Sequence, residues 1–481
     1  MTRRERRVMT RRPAALLALE LRTQWRQGVP AAVLGLAAFW SALLVLLPVG
    51  AARVATPYLL FVEVVTVGTL FAGALTVTDR STGAAAALAV SPARPWERIA
   101  ARSAPLAGLT TLGALPVMIA GGRAGQIGAG LPSIALSGLL LLAVAAGIAA
   151  RKDEFVGFMV ALAGPVALLL AVPLAVSVGL LNGVVWYATP TTGALMLLRG
   201  DAPYPTGLLL GYLAVWAAAA LGYATWRLRA GQDVAPGPAA VHVRALPDRP
   251  RWLVFPRADL RNITRDTMLA AVALSPLLLA LALRFGYPPL AGWLRSTGGP
   301  DLTSYEPVLA MLAVAVHLPV SFGMTGALIV LDDLEDGTLA VVRTSPLGVP
   351  RYLAYRLAAV TLLSAAGLAV AAPLSGLVPA SATGALVLAV PLGPLVTLAT
   401  LAVARSRVQG ATADKVLALP VYLPVAAWWL SGPAGWALAP LPTYWIVRSW
   451  TGADPLHLLG GLACLTAWLI PLAYRVSRRL G

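Results

Sequence analysis

Long apolar runs alternate with short polar connections from one end of the chain to the other. A membrane span needs roughly 20 apolar residues to cross a hydrocarbon core of about 30 Å, and twelve runs approach that length. They cover residues 30–50, 57–77, 99–120, 131–150, 155–178 and 206–226, then 268–283, 307–331, 353–372, 382–403, 416–430 and 455–472. The pattern predicts an all-α integral membrane protein with about twelve transmembrane helices. Pro165, Pro173 and Pro420 fall inside runs, so kinks are expected where neighbouring helices take up the freed carbonyls. The arginine-rich opening "MTRRERRVMTRRPAALLALELRTQWRQG" leads into a run of spanning length without a small-residue cleavage site. It reads as an uncleaved first span.

Basic residues orient the spans. The odd-to-even connections hold few of them: Arg53, Arg123, Arg199, Arg284, Arg295 and Arg448. Nearly all the others lie at the termini or in even-to-odd connections, so both termini are expected in the cytoplasm. Polar landmarks also recur. Asp79, Gly83, Ser91, Pro92 and Arg102 match Asp333, Gly337, Ser345, Pro346 and Arg356, each pair 254 residues apart. "ELRTQWR" at Glu20 answers "DLRNITR" at Asp259, and "WYATPTTGALMLLRGDAP" answers "WALAPLPTYWIVRSWTGADP". The expected organisation is therefore two six-helix repeats, over residues 1–230 and 251–481, joined by a Pro- and Arg-rich cytoplasmic linker at 231–250. An even number of spans leaves the repeats parallel, related by a pseudo-twofold axis along the membrane normal.

Composition agrees with a lipid-embedded chain: 58% hydrophobic and 12% charged residues, against about 25% charged in soluble domains. The net charge of +17 is distributed beside apolar runs instead of forming one patch, which argues against nucleic acid. Lysine occurs only at Lys152 and Lys415, a bias typical of a GC-rich bacterial genome. Neither lysine follows a glycine-rich turn, so neither serves a phosphate-binding loop and no catalytic residue is expected on this chain. Cys464, the single cysteine, excludes an internal disulfide and reads as a buried free thiol.

The most unusual stretch is "LDDLEDGTLAVVRTSPLG", Leu331 to Gly348. Its Asp-Asp-x-x-Asp pattern could hold magnesium for a diphosphate, as in intramembrane prenyl transferases. The matching loop "TDRSTG" has one acid, however, and no second cluster appears, so no metal site is assigned. The alternative is a short helix, "TLAVVR", with acids at Asp333, Glu335 and Asp336 favouring its N-terminus and Ser345-Pro346 ending it.

This loop resembles the one between the second and third spans of type 2 ATP-binding-cassette exporter permeases. The resemblance is carried by Glu335, Gly337, Thr338, Leu339, Ser345, Pro346, Tyr352 and Leu353. It extends over essentially the whole chain, including an amphipathic N-terminal segment and a Pro-rich external re-entrant stretch before each sixth span. The chain is most similar to actinobacterial fluoroquinolone-exporter-like permeases, with two units fused. The resemblance implies a coupling helix at Asp333, Glu335, Asp336, Gly337, Thr338, Leu339, Ser345 and Pro346, with Asp79, Gly83, Ser91 and Pro92 as its counterpart. It also implies a separate ATPase subunit in two copies, with ATP and magnesium held there and no cofactor on this chain. The cargo would be a small amphiphilic drug or natural product, exported across the bacterial cytoplasmic membrane. Thr82 in place of the acid, and "AAAAL" in place of "TLAVV", leave docking of the first copy open.

Two ionisable residues fall inside spans, Glu63 and His317, again 254 residues apart. An intramembrane charge points to function or pairing. They are expected to face each other across the pseudo-axis, as a gate, as a contact for cationic cargo, or as a structural hydrogen bond. "LRTQWRQG" and "RADLRNITRD" resemble the family's interfacial helices, with arginines at lipid headgroups. Trp186, Trp436, Trp445 and Trp450 read as interface anchors. The rival plan is a proton-coupled transporter with two six-span halves, whose loop pattern "GALTVTDRSTGAAA" approaches but does not meet.

Overall fold

The computed structural model describes residues 3–46, 49–81, 84–89, 91, 93–152, 155–232, 267–296, 302–335, 337–345, 348–430, 432–452 and 454–480. Most of the expected linker and all of "RADLRNITRD" lie outside them. The chain divides into two compact units, Met1–Pro256 and Arg257–Gly481. The described residues contain helices and no strands, and the protein is an all-α, multi-pass membrane protein.

Eight helices among the described residues are long and apolar enough to span, or up to nine if a bent pair counts as one. They coincide with the runs at 99–120, 131–150, 206–226, 268–283, 307–331, 353–372, 382–403 and 455–472. The other four runs take different forms. The first is the second limb of the pair Pro13–Arg26 and Val29–Val45, bent by 63° at Gly28, whose φ of 76° suits glycine. The second lies within a 33-residue helix, Val49–Ser81. The fifth contributes the shorter apolar helix Ala161–Ser177. The eleventh, expected at 416–430, is not one helix. Arg407–Tyr422 gives way to a 3-10 turn at Leu423–Trp428, where Pro424 cannot donate a backbone hydrogen bond.

In the first unit the helix Ile127–Ala149 is central, packed by Val49–Ser81, Pro95–Ala120 and Thr206–Gln232. In the second, Leu318–Glu335 crosses Leu392–Val403. Lipid supplies no hydrophobic drive between helices, so close backbone approach matters. A Cβ on Gly323 would lie 2.3 Å from the Gly393 carbonyl oxygen, and Thr397 Oγ1 donates to the Gly323 carbonyl at 2.8 Å. These two helices meet backbone to backbone. Leu318–Glu335 also ends a helical span of 34 residues, Leu302–Glu335, about 51 Å long at 1.5 Å per residue. It exceeds the hydrocarbon thickness, so its ends tilt or protrude.

The first helix, Arg3–Arg26, has inverted polarity. Glu20 and Gln24 are buried, whereas Leu17, Leu21 and Trp25, one turn apart, are exposed, Trp25 by 74%. Its apolar stripe faces outward and its polar stripe faces the unit, as an interfacial helix lying on lipid requires. Near the opposite end of the chain, Trp450 is buried and so belongs to the core, not to an interface belt. Cys464 is half-buried, its Sγ 3.3 Å from the Pro440 carbonyl, and so is less enclosed than expected.

Candidate functional site

The segment "TLAVVRT" forms a helix, Thr338–Thr344, entered through Gly337 with φ 76° and left through an extended Ser345. Leu339 and Val342 point inward, 1% and 6% exposed, and Val341 between them is 68% exposed. The spacing of three between the inward residues makes this a one-sided helix with a hydrophobic side chain turned out. Ser345 closes it by donating from Oγ to the Val342 carbonyl at 2.8 Å. Arg343 Nε donates to the Leu480 carbonyl at 2.9 Å, tying the helix to the end of Pro455–Leu480. Sequence reading missed Val341; the inward pair at 339 and 342 was the available signal.

Asp333 and Glu335 make their hydrogen bonds with other elements. Asp333 accepts from the Tyr352 hydroxyl and from Arg356 Nη2 at 3.0 Å. Glu335 accepts from the backbone N–H and the Nε of Arg407, at 3.0 and 2.7 Å. It therefore caps the following Arg407–Tyr422 helix, alongside Ser406, which accepts from the Gln409 N–H. Arg407 Nη1 also pairs with Asp332 at 2.7 Å. These three carboxylates are engaged by arginines of their own unit, an arrangement unlike an open magnesium cradle. Asp336 and Pro346 lie outside the described residues.

The first unit makes the same closures with different strength. Asp79 pairs with Arg102, which also forms a fork with Glu20 at 2.8 and 3.3 Å and donates to Thr76 at 3.2 Å. Gln24 Nε2 reaches the Arg102 carbonyl at 3.2 Å. Every member except Asp79 is buried, so the interfacial helix is attached through a desolvated ionic cluster. Ser91 Oγ donates to the Leu88 carbonyl at 2.7 Å, closing a six-residue helix, Ala84–Ala89. Gly83 and Pro92 lie outside the described residues.

Glu63 accepts from Trp40 Nε1 at 3.2 Å and borders a cavity of about 40 Å³ walled by Leu36, Leu60 and Val117. That is room for a few waters, far below the roughly 300 Å³ of a small-molecule pocket. His317 is exposed on its unit; its Nδ1 lies 2.9 Å from the Tyr422 hydroxyl. It ends a π-helical stretch, Met311–His317, a local widening that recurs at functional positions. On the Tyr422 helix, burial pushes the Asp414 carboxyl up to about 6, against the opposing pull of Lys415.

Residues 259–473 match the family model described as "Fluoroquinolones export permease protein Rv2686c-like". The Fluoroquinolones export permease protein Rv2687c of Mycobacterium tuberculosis is 30% identical over 217 residues, 44% of this chain and 91% of the relative. The permease protein Rv2686c of the same organism is 27% identical over 212 residues, 43% of this chain and 84% of the relative.

Proposed function

Because the chain belongs to the family of fluoroquinolone export permeases, we propose that it is the membrane-spanning subunit of an ATP-driven exporter, driven by separate ATPase chains. Each relative aligns with less than half of this chain, which suits two fused permease units, each of six spans, with both termini in the cytoplasm of a bacterial inner membrane. The cargo is an amphiphilic drug or natural product of the fluoroquinolone kind, a class taken from the relatives' names.

The observation that carries this reading is the helix Thr338–Thr344. It is short, fastened at its C-terminal end through Arg343 and Ser345 and set between two spanning helices, yet it turns Val341 outward. An exposed valine outside the lipid is a ready anchor for a partner's pocket. ATP binding would close two ATPase subunits, press on this helix and its counterpart at Ala84–Ala89, and rock the bundles attached to them. Asp333, Glu335 and Ser345 then act as positioning residues that hold the lever. ATP and magnesium belong to the partner. Glu63 and His317 are the proposed polar points on the cargo's route, and each hydrogen-bonds an aromatic side chain.

The test is co-expression with a candidate ATP-binding-cassette ATPase chain from the same genome. The pair should co-purify and move a fluoroquinolone into inverted vesicles only with hydrolysable ATP. Val341→Asp should weaken both while leaving the yield of folded protein unchanged. Transport by the purified chain alone, driven by a proton gradient, would refute the reading.

A further inference from the structure

A cavity of about 230 Å³ lies among the ends of the Leu318–Glu335, Leu392–Val403 and Pro455–Leu480 helices. It far exceeds the 10–15 Å³ or so that admit one water. Leu331, Leu334, Leu401 and Ala404 supply an apolar wall, and Arg405 and Arg479 supply cations. Arg479 uses Nη1 on the Leu401 carbonyl at 2.7 Å, which leaves other N–H donors of its fork to spare. Arg405 is exposed. The charges of Arg405 and Arg475 bear on Arg479, and the acids at this end, Asp332 and Glu335, are held by Arg407. Like charges gathered round an apolar hollow repel one another until an anion joins them.

We propose that this cavity seats the phosphate headgroup of an anionic glycerophospholipid. Arg405 and Arg479 donate to the phosphate oxygens, and an acyl chain lies along Leu331 and Leu334. The arginine fork suits phosphate geometry, and basic pockets between spanning helices on the cytoplasmic side recognise such headgroups. The distribution of basic residues assigns this end to that leaflet. The apolar wall favours a lipid over a free phosphate, the other source of the same chemistry.

Native mass spectrometry of the full chain, released from nanodiscs of phosphatidylcholine doped with phosphatidylglycerol, tests the site. The protein should retain phosphatidylglycerol at least about tenfold more strongly than the Arg405→Gln/Arg479→Gln variant, since two charge-assisted bonds are lost. Arg405→Lys/Arg479→Lys should recover part of the retention, and Arg295→Gln, beside Thr303 at the far end of the Leu302–Glu335 span, should match the unmodified chain. Equal retention by the double glutamine variant would overturn the site. Displacement of phosphatidylglycerol by millimolar inorganic phosphate would overturn the lipid as its occupant. Neither outcome depends on an ATPase, so they stand apart from the exporter reading.

Discussion

The two units fasten the same loop with different chemistry. In both, an aspartate at the end of one helix meets an arginine on the next, Asp79 with Arg102 and Asp333 with Arg356. Both close the intervening short helix with a serine hydroxyl on the carbonyl three residues back. In both, an arginine of the last helix donates to a carbonyl of the fourth spanning helix, Arg227 to Gly147 and Arg479 to Leu401. The difference lies in what surrounds the ion pair. The Arg102 guanidinium serves two carboxylates and a threonine in a buried cluster. Among the described residues, Arg356 serves Asp333 and the Tyr352 hydroxyl, and it stacks on Tyr352 and Tyr355. In the first unit Glu20 ties the N-terminal helix to the pair, and in the second Asp332 and Glu335 hold Arg407. One landmark in sequence serves two attachments.

That contrast can be broken most forcefully at Arg102. Arg102→Gln strands Glu20 and Asp79 and should cost about 3–5 kcal/mol, read as loss of folded protein in thermal unfolding in detergent. Arg356→Gln leaves Asp333 its tyrosine and should cost about 1–3 kcal/mol; equal losses would erase the distinction. Next comes Asp414 on the Arg407–Tyr422 helix. Its carboxyl is raised from about 3.9 to about 6, so ionisation opposes folding. Stability should therefore fall as pH rises from about 4 to 6 and stay lower above that. Asp414→Asn should flatten this slope and recover about 3 kcal/mol at pH 7, measured as the unfolding midpoint against pH. The docking face gives a subtler test. Val341→Asp should weaken ATPase co-purification at least about tenfold, a 1.4 kcal/mol effect, whereas Ala87→Asp in the shorter helix should change it less. Smallest is Glu335→Gln, which keeps a carbonyl on the Arg407 N–H and should lower stability by no more than about 1 kcal/mol, read from the unfolding midpoint.

Much of this was legible beforehand. Apolar runs located eight spans because burial in lipid demands them, and the common spacing of Asp79 and Arg102 with Asp333 and Arg356 marked residues that turn out to touch. The helix Thr338–Thr344 was expected from the acids before it and from Ser345-Pro346 after it. What escaped depends on long-range geometry. Arg407, 72 residues beyond Glu335, has no local pattern joining it to that acid, so Glu335 was read as serving the nearer helix. The eleventh run failed because its prolines outweigh its hydrophobicity. Trp450 was read from its place near a helix end, yet packing turned it inward.

The contact of Gly323 with Gly393 carries a mechanical consequence. With no side chain between the two backbones, nothing there can swing aside to absorb a displacement. A shove delivered at Glu335 would travel the rod undamped and arrive near His317, so stiffness at one glycine sets how far the motion reaches.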